Sequence, residues 1–143
     1  MTKMMWSSLG LAVAFMAGFA ARGVMPGATT AHAQAATRVF ELRTYTPAEG
    51  KLGLLHARFK NHTLRIFQRH GMTNVWYGKP MDAPMSQTTL IYLLAHQSRE
   101  AAKKSWDSFR ADTEWMAVAK ESGVGPVKVE SVFLEPTDYS PMK

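Results

Sequence analysis

The sequence predicts an α+β domain running strand, helix, strand, strand, helix, strand, with one four-stranded sheet and its helices on one face. Three observations predict it. Apolar and polar residues alternate from Arg38 to Tyr45 (RVFELRTY), as they do in a half-buried strand. An apolar repeat at helical spacing follows and stops at Gly71. The stretch from Thr88 to Ala95 (TTLIYLLA) is apolar on both sides, so it belongs inside a sheet covered twice.

The alternation in the first strand sends Phe40, Leu42 and Thr44 to one face and Val39, Glu41, Arg43 and Tyr45 to the other. Thr46 as N-cap, Pro47 in the first turn and Glu49 close behind then favour a helix start. At 100° per residue, Leu52, Leu55, Phe59, Thr63, Ile66 and His70 fall in one arc, the face expected on the sheet. Arg58, Arg65 and Arg69 form a separate stripe, with His62 at the border. Met72 to Tyr77 reads as the second strand, the segment with Gly78, Pro80, Asp82 and Pro84 as a loop, and Thr88 to Ala95 as the third strand. Ser98 is placed to cap the second helix and Asp112 to cap a second helical piece ending near Gly123. Lys128 to Leu134 (KVESVFL) reads as the fourth strand.

Two helices cover one face of such a sheet. The other face, expected to carry Tyr45, Glu41 and Arg43, then needs a partner, and a second copy of the chain is the economical one. A charge taken into such a dry interface is costly alone, so Glu41 and Arg43 are expected to pair within the dimer.

The beginning of the chain has a different character. Lys3 precedes a run of thirteen small and apolar residues, Leu9 to Ala21. That is the length of a signal-peptide core, whereas a spanning helix needs about 20 apolar residues. Ala31-His32-Ala33 suits a signal peptidase, so residues 1–33 are expected to be a signal peptide and residues 34–143 the exported domain, periplasmic or secreted. Ala35 is the close alternative cleavage position, and an uncleaved membrane anchor is the alternative fate of the segment.

Processing would leave fifteen basic and eleven acidic residues, since Lys3 and Arg22 leave with the leader. The mild surplus is interleaved with acids and forms no basic block, which argues against a nucleic-acid partner. The absence of cysteine from all 143 residues excludes disulfides and thiolate catalysis. No HExxH, P-loop, dinucleotide fingerprint or GxSxG elbow occurs, so neither a dedicated metal site nor nucleotide or acyl-transfer chemistry is expected.

Four segments, FELRTYT (residues 40–46), KNHTLRIFQRHGM (60–72), LIYLLAHQSREAAKKSWDSFRAD (90–112) and VESVFLEPTDYSP (129–141), together resemble the bacterial branch of the NIPSNAP family. The resemblance implies a ferredoxin-like βαββαβ domain with a four-stranded antiparallel sheet, pairing sheet to sheet into a dimeric α/β barrel. Thr113 departs from the family pattern, where proline is expected. The resemblance supplies no settled activity, because dimeric α/β barrels include cofactor-independent oxygenases, haem-handling proteins and small-molecule sensors.

Candidate site residues are therefore weighed on their own chemistry. His62 can present an imidazole at the margin of a sheet–helix cleft, beside the arginine stripe. His96 ends the third strand, where sheet residues commonly meet ligands, while His70 reads as a helix-end histidine. Tyr45, Trp76 and Trp106, with Arg43, have the chemistry to line a pocket for a flat apolar or carboxylated ligand. Each also has a plainer reading as core or solvated surface, and no catalytic set emerges. The function expected is thus an exported homodimer binding a small hydrophobic ligand or a protein, with no obligatory cofactor. The alternative is a cofactor-independent oxygenase or haem-binding enzyme using His62 or His96. Intact-mass measurement on exported protein is expected to place the amino terminus at Gln34, and a membrane-bound chain retaining Met1 is the opposing result.

Overall fold

The computed structural model describes residues 38–143. The signal segment and its cleavage position lie outside the described residues. Four strands, β1 (Val39–Pro47), β2 (Thr73–Gly78), β3 (Leu90–His96) and β4 (Val127–Leu134), form one antiparallel sheet in the order β2-β3-β1-β4. Between β1 and β2, α1 (Leu52–Arg58) passes through a π turn (Phe59–Thr63) into α2 (Leu64–Arg69); α3 (Arg99–Arg110) and α4 (Thr113–Glu121) connect β3 to β4. This is the expected ferredoxin-like order. Strand β3, read as apolar on both sides, is central in the sheet and the most deeply buried.

Several local signals act as expected. Ser98 caps α3 by accepting from the Ala101 N–H at 3.0 Å, and Asp112 caps α4 by accepting from Trp115 N–H at 3.0 Å. Gly71 ends the helical stretch at φ 78°, a conformation that a side chain makes costly.

Three expectations are corrected. Thr46 and Pro47 do not start a helix: they continue β1, opposite Lys128 and Val127, and α1 begins at Leu52. The demand of the neighbouring strand outweighs the local capping signal, and the turn through Gly50 at φ 73° sits between the two elements. The first helix buries the expected Leu52, Leu55, Phe59, Thr63 and Ile66, but the buried face is wider than that arc. The π turn spends one extra residue, which turns later side chains back around the axis. Phe67 is carried into the core at 1% exposure, and Arg58 is buried too.

The third correction concerns the direction of β1. Glu41, Arg43 and Tyr45 face the helices, not the open side, and Phe40, Leu42 and Thr44 occupy the open face. Alternation fixes which residues share a face but not which face is covered. The direction is decided by what the helices offer: Tyr45 packs on Phe59 and Tyr92 at 5.8 and 5.1 Å between ring centroids, and Glu41 finds donors from α3 and both neighbouring strands. The helix-facing core is strongly aromatic, with Phe59, Phe67, Tyr77, Tyr92, Trp106 and Phe109 in contact.

On the open side, Leu42, Trp76, Ile91, Leu93, Val132 and Leu134 form an apolar surface, with Trp76 and Val132 more than half exposed. Phe40 and Ala95 are closed off there. The C-terminal segment after β4 turns back over this side, bringing Pro136 and Met142 to Phe40 and Leu93, and Arg38 Nε donates to the Lys143 carbonyl at 2.8 Å. Replacing Gly71 with alanine is expected to cost about 1 kcal/mol or more in urea unfolding, because the backbone, not packing, makes the demand: the nearest atom, Ser105 Oγ, leaves 3.6 Å for the added methyl.

Candidate binding site

β1 presents Glu41, Arg43 and Tyr45 toward the helices at successive alternate positions, and α3 presents Trp106 over them. β3 adds Tyr92 and His96 from one side, and β4 adds Ser131 from the other. Glu41 is 1% exposed and accepts four hydrogen bonds. Arg43 Nη1 and Ser131 Oγ donate to Oε1 at 2.5 and 2.6 Å, while Trp106 Nε1 and His96 Nε2 donate to Oε2 at 2.7 and 3.0 Å. A carboxylate has about four lone-pair sites, and here each has a donor.

Burial would raise the Glu41 pKa, but the donors from His96, Ser131 and Trp106 and the charge of Arg43 outweigh it and bring the group from 4.5 down to about 2. Arg43 is also desolvated, which favours its neutral form, yet Tyr45, Tyr92 and Glu41 together push its pKa up. Its guanidinium lies 4.1 Å from the Trp106 ring centroid. Because a carboxylate only accepts, His96 carries its proton on Nε2, leaving Nδ1 buried without a partner.

Four of the sequence-derived candidates, Arg43, Tyr45, His96 and Trp106, therefore meet around Glu41. The expected Glu41–Arg43 pair forms, but under the helices of its own domain. The His96 side chain is fully enclosed, and one ring nitrogen is committed to Glu41. Trp76 is on the opposite face of the sheet. A bulge between Asn74 and Trp76 lets Asn74 and Tyr77 share the helix-facing side, joined by a Tyr77 O–H to Asn74 Oδ1 hydrogen bond of 2.5 Å, while the Trp76 indole lies on Gly78.

His62 is separate from both groups. It sits on the outer side of the helical layer, half-buried in a hollow of about 180 Å³ shared with Leu54, Ala57, Arg58, Asn61 and Ser122. The arginine stripe divides here. Arg65 and Arg69 pair with Glu114, and Arg69 and His70 reach Asp112, each at 2.7 Å, tying α2 to the α3–α4 junction. Arg58 instead turns inward against Trp115. His56 lines a mainly apolar hollow of about 240 Å³ with Phe59, Lys60, Leu64, Tyr77 and Leu90. Ser131 and Trp115 are partners that spacing did not identify. Ser131 could have been found from its place opposite Arg43 once strand register was known, whereas Trp115 carries no such signal.

Comparisons with known proteins agree with this architecture. The NIPSNAP family model matches residues 40–141. A NIPSNAP family protein of unknown function from Agrobacterium tumefaciens superposes with a TM-score of 0.67 at 17% identity, covering 76% of this chain and 96% of that one. A NIPSNAP-like domain protein from Burkholderia xenovorans gives 0.64 at 16% identity, over 74% and 90% of the two chains. SnoaB, a cofactor-independent oxygenase from Streptomyces nogalater, gives 0.52 at 12% identity, over 74% and 99%. No curated protein matches.

The carboxylate cluster makes a pH dependence. Since the folded Glu41 pKa is depressed, its contribution is present above pH 4.5 and is lost as pH falls toward about 2. Linkage makes this on the order of 3 kcal/mol. Glu41→Gln is expected to lose about that much at pH 7 and to flatten the acid limb, as measured by urea unfolding from pH 7 to pH 2.5.

Proposed function

Because the chain belongs to the NIPSNAP family, we propose that it acts as an exported homodimeric binding module, its open sheet face sealed by a second copy. The observation that carries this reading is the apolar surface of Leu42, Trp76, Ile91, Leu93, Val132 and Leu134. A face of this kind on the side of the sheet away from the helices is an interaction surface. The family relationship and the dimeric α/β barrel architecture make a second copy the occupant of choice, with about 800 Å² buried per partner in an interface of ordinary size. The edge strand β4 supports the same reading, since Val132 and Leu134, opposite Leu42 and Phe40 on that face, are only partly covered by their own domain.

Binding is favoured over turnover by the state of the polar groups. Glu41 has every acceptor site filled, and His96 is enclosed, so neither is free to take a proton from a substrate. Those contacts also leave His96 poorly suited as an axial ligand to haem. The likeness to SnoaB supports the fold, while the oxygenase reading still lacks an accessible base in this interior. Small hollows in the helical layer, lined by apolar walls and three or four polar residues, suit a small amphiphilic ligand.

Sedimentation velocity of residues 34–143 is the test. The chain is expected to run as a dimer, and Val132→Lys, at a position already 55% exposed, is expected to give a folded monomer with association weakened at least about a hundredfold. A monomeric unsubstituted chain at high concentration, or a Val132→Lys protein that remains a dimer, would overturn the reading.

A further inference from the structure

The domain stacks an arginine on an indole twice, and only one of the two has a counter-ion. Arg43 lies on Trp106 and is paired with Glu41 at 2.5 Å. Arg58 lies 5.1 Å from the Trp115 ring centroid and is 6% exposed, yet no acidic side chain among the described residues pairs with it. Its Nε, like that of Arg43, is buried without a hydrogen-bond partner, and its guanidinium makes no ion pair among the described residues. Burial lowers the Arg58 pKa, and only the nearby Tyr45 and Tyr92 hydroxyls act in the opposite sense. The guanidinium nevertheless stays charged at any ordinary pH. A buried cation of this kind is costly unless something compensates it.

The compensating group has a place to sit. Arg58 lines the hollow of about 180 Å³ that it shares with Leu54, Ala57, Asn61, His62 and Ser122. The helix is built for this arrangement: the π turn begins directly after Arg58, and Thr63 Oγ1 donates to the Arg58 carbonyl at 3.2 Å within it. A guanidinium over the Trp115 ring with no acidic partner keeps a fork of donors that matches a carboxylate. We propose that Arg58, with Asn61, His62 and Ser122, forms a binding site for a small aliphatic monocarboxylate.

The class follows from the walls and the surrounding charge. Leu54 and Ala57 offer apolar contact, and the volume equals that of about six water molecules, enough for a short acid but not a long chain. Glu121 lines the adjoining hollow with His62, Val118 and Ser122. A second negative charge on the ligand would meet that carboxylate, which selects a monoanion over phosphate. This assignment deepens the binding-module reading and rests on it, but the site lies in the helical layer and does not use the dimer face.

Hexanoate is the probe, titrated calorimetrically into the chain of residues 34–143, with hexanamide and inorganic phosphate as comparisons. Saturable hexanoate binding is expected in the millimolar range or tighter, at least about tenfold stronger than either comparison. Leu54→Glu, at an exposed position on the rim, is expected to weaken it at least about tenfold without unfolding the domain, and Arg58→Lys to weaken it through loss of the fork. Arg58→Met is expected to abolish binding while leaving the unliganded melting temperature unchanged or higher, because it removes an uncompensated buried charge. A purely structural Arg58 would instead lower that temperature and leave the Leu54→Glu protein binding as before.

Absence of saturable hexanoate binding overturns the assignment. So does equal binding of hexanamide or stronger binding of phosphate. Sedimentation of the same samples reports the dimer independently, so failure of the site and failure of the dimer are told apart.

Discussion

The interior is organised around one buried carboxylate. Glu41 joins β1 to β3 through His96, to β4 through Ser131 and to α3 through Trp106, and it neutralises Arg43 on its own strand. A charge at this depth is tolerated only when its hydrogen bonds are complete, so the positions of four elements depend on one another. It also selects the face of β1 that the helices cover. A one-residue slip of the strand would move Glu41 to the apolar side and Leu42 into the donor cluster.

The same constraint bears on function. A carboxylate beside a histidine and a tryptophan resembles the beginning of an acid–base site, but a base must have an acceptor left for its substrate, and those of Glu41 are filled by its own domain. Arg58 is the converse case. It has the burial and the indole of Arg43 but no acidic partner among the described residues, which is why the proposed ligand is an acid.

The order of elements was legible because it rests on periodicity and punctuation: alternation in β1, the double-sided apolar character of β3, the caps at Ser98 and Asp112, and Gly71. What was not legible required partners distant in sequence. Thr46 and Pro47 look like a helix start until β4 claims them as strand. Alternation gave the grouping of Glu41, Arg43 and Tyr45 but not their side, which depends on donors up to ninety residues away. The π turn leaves no mark in composition, and it explains why His62 was sensibly placed beside Arg58 while the cleft expected for it was not the one between sheet and helices. His96 and Trp106, read as ligand-binding candidates, meet at Glu41 through contacts that only the fold reveals, while Trp76 lies opposite Leu93 on the other face of the sheet.

The returning C-terminal segment has a practical consequence. Met142 and Pro136 lie over Phe40 and Leu93, on the side of the sheet that would meet a second copy, and Lys143 is tethered there by Arg38. A purification tag or reporter fused after Lys143 would emerge at the rim of that contact and compete with it. Appendages belong instead ahead of β1, and an assembly state measured on a carboxyl-tagged protein would describe the appendage as much as the domain.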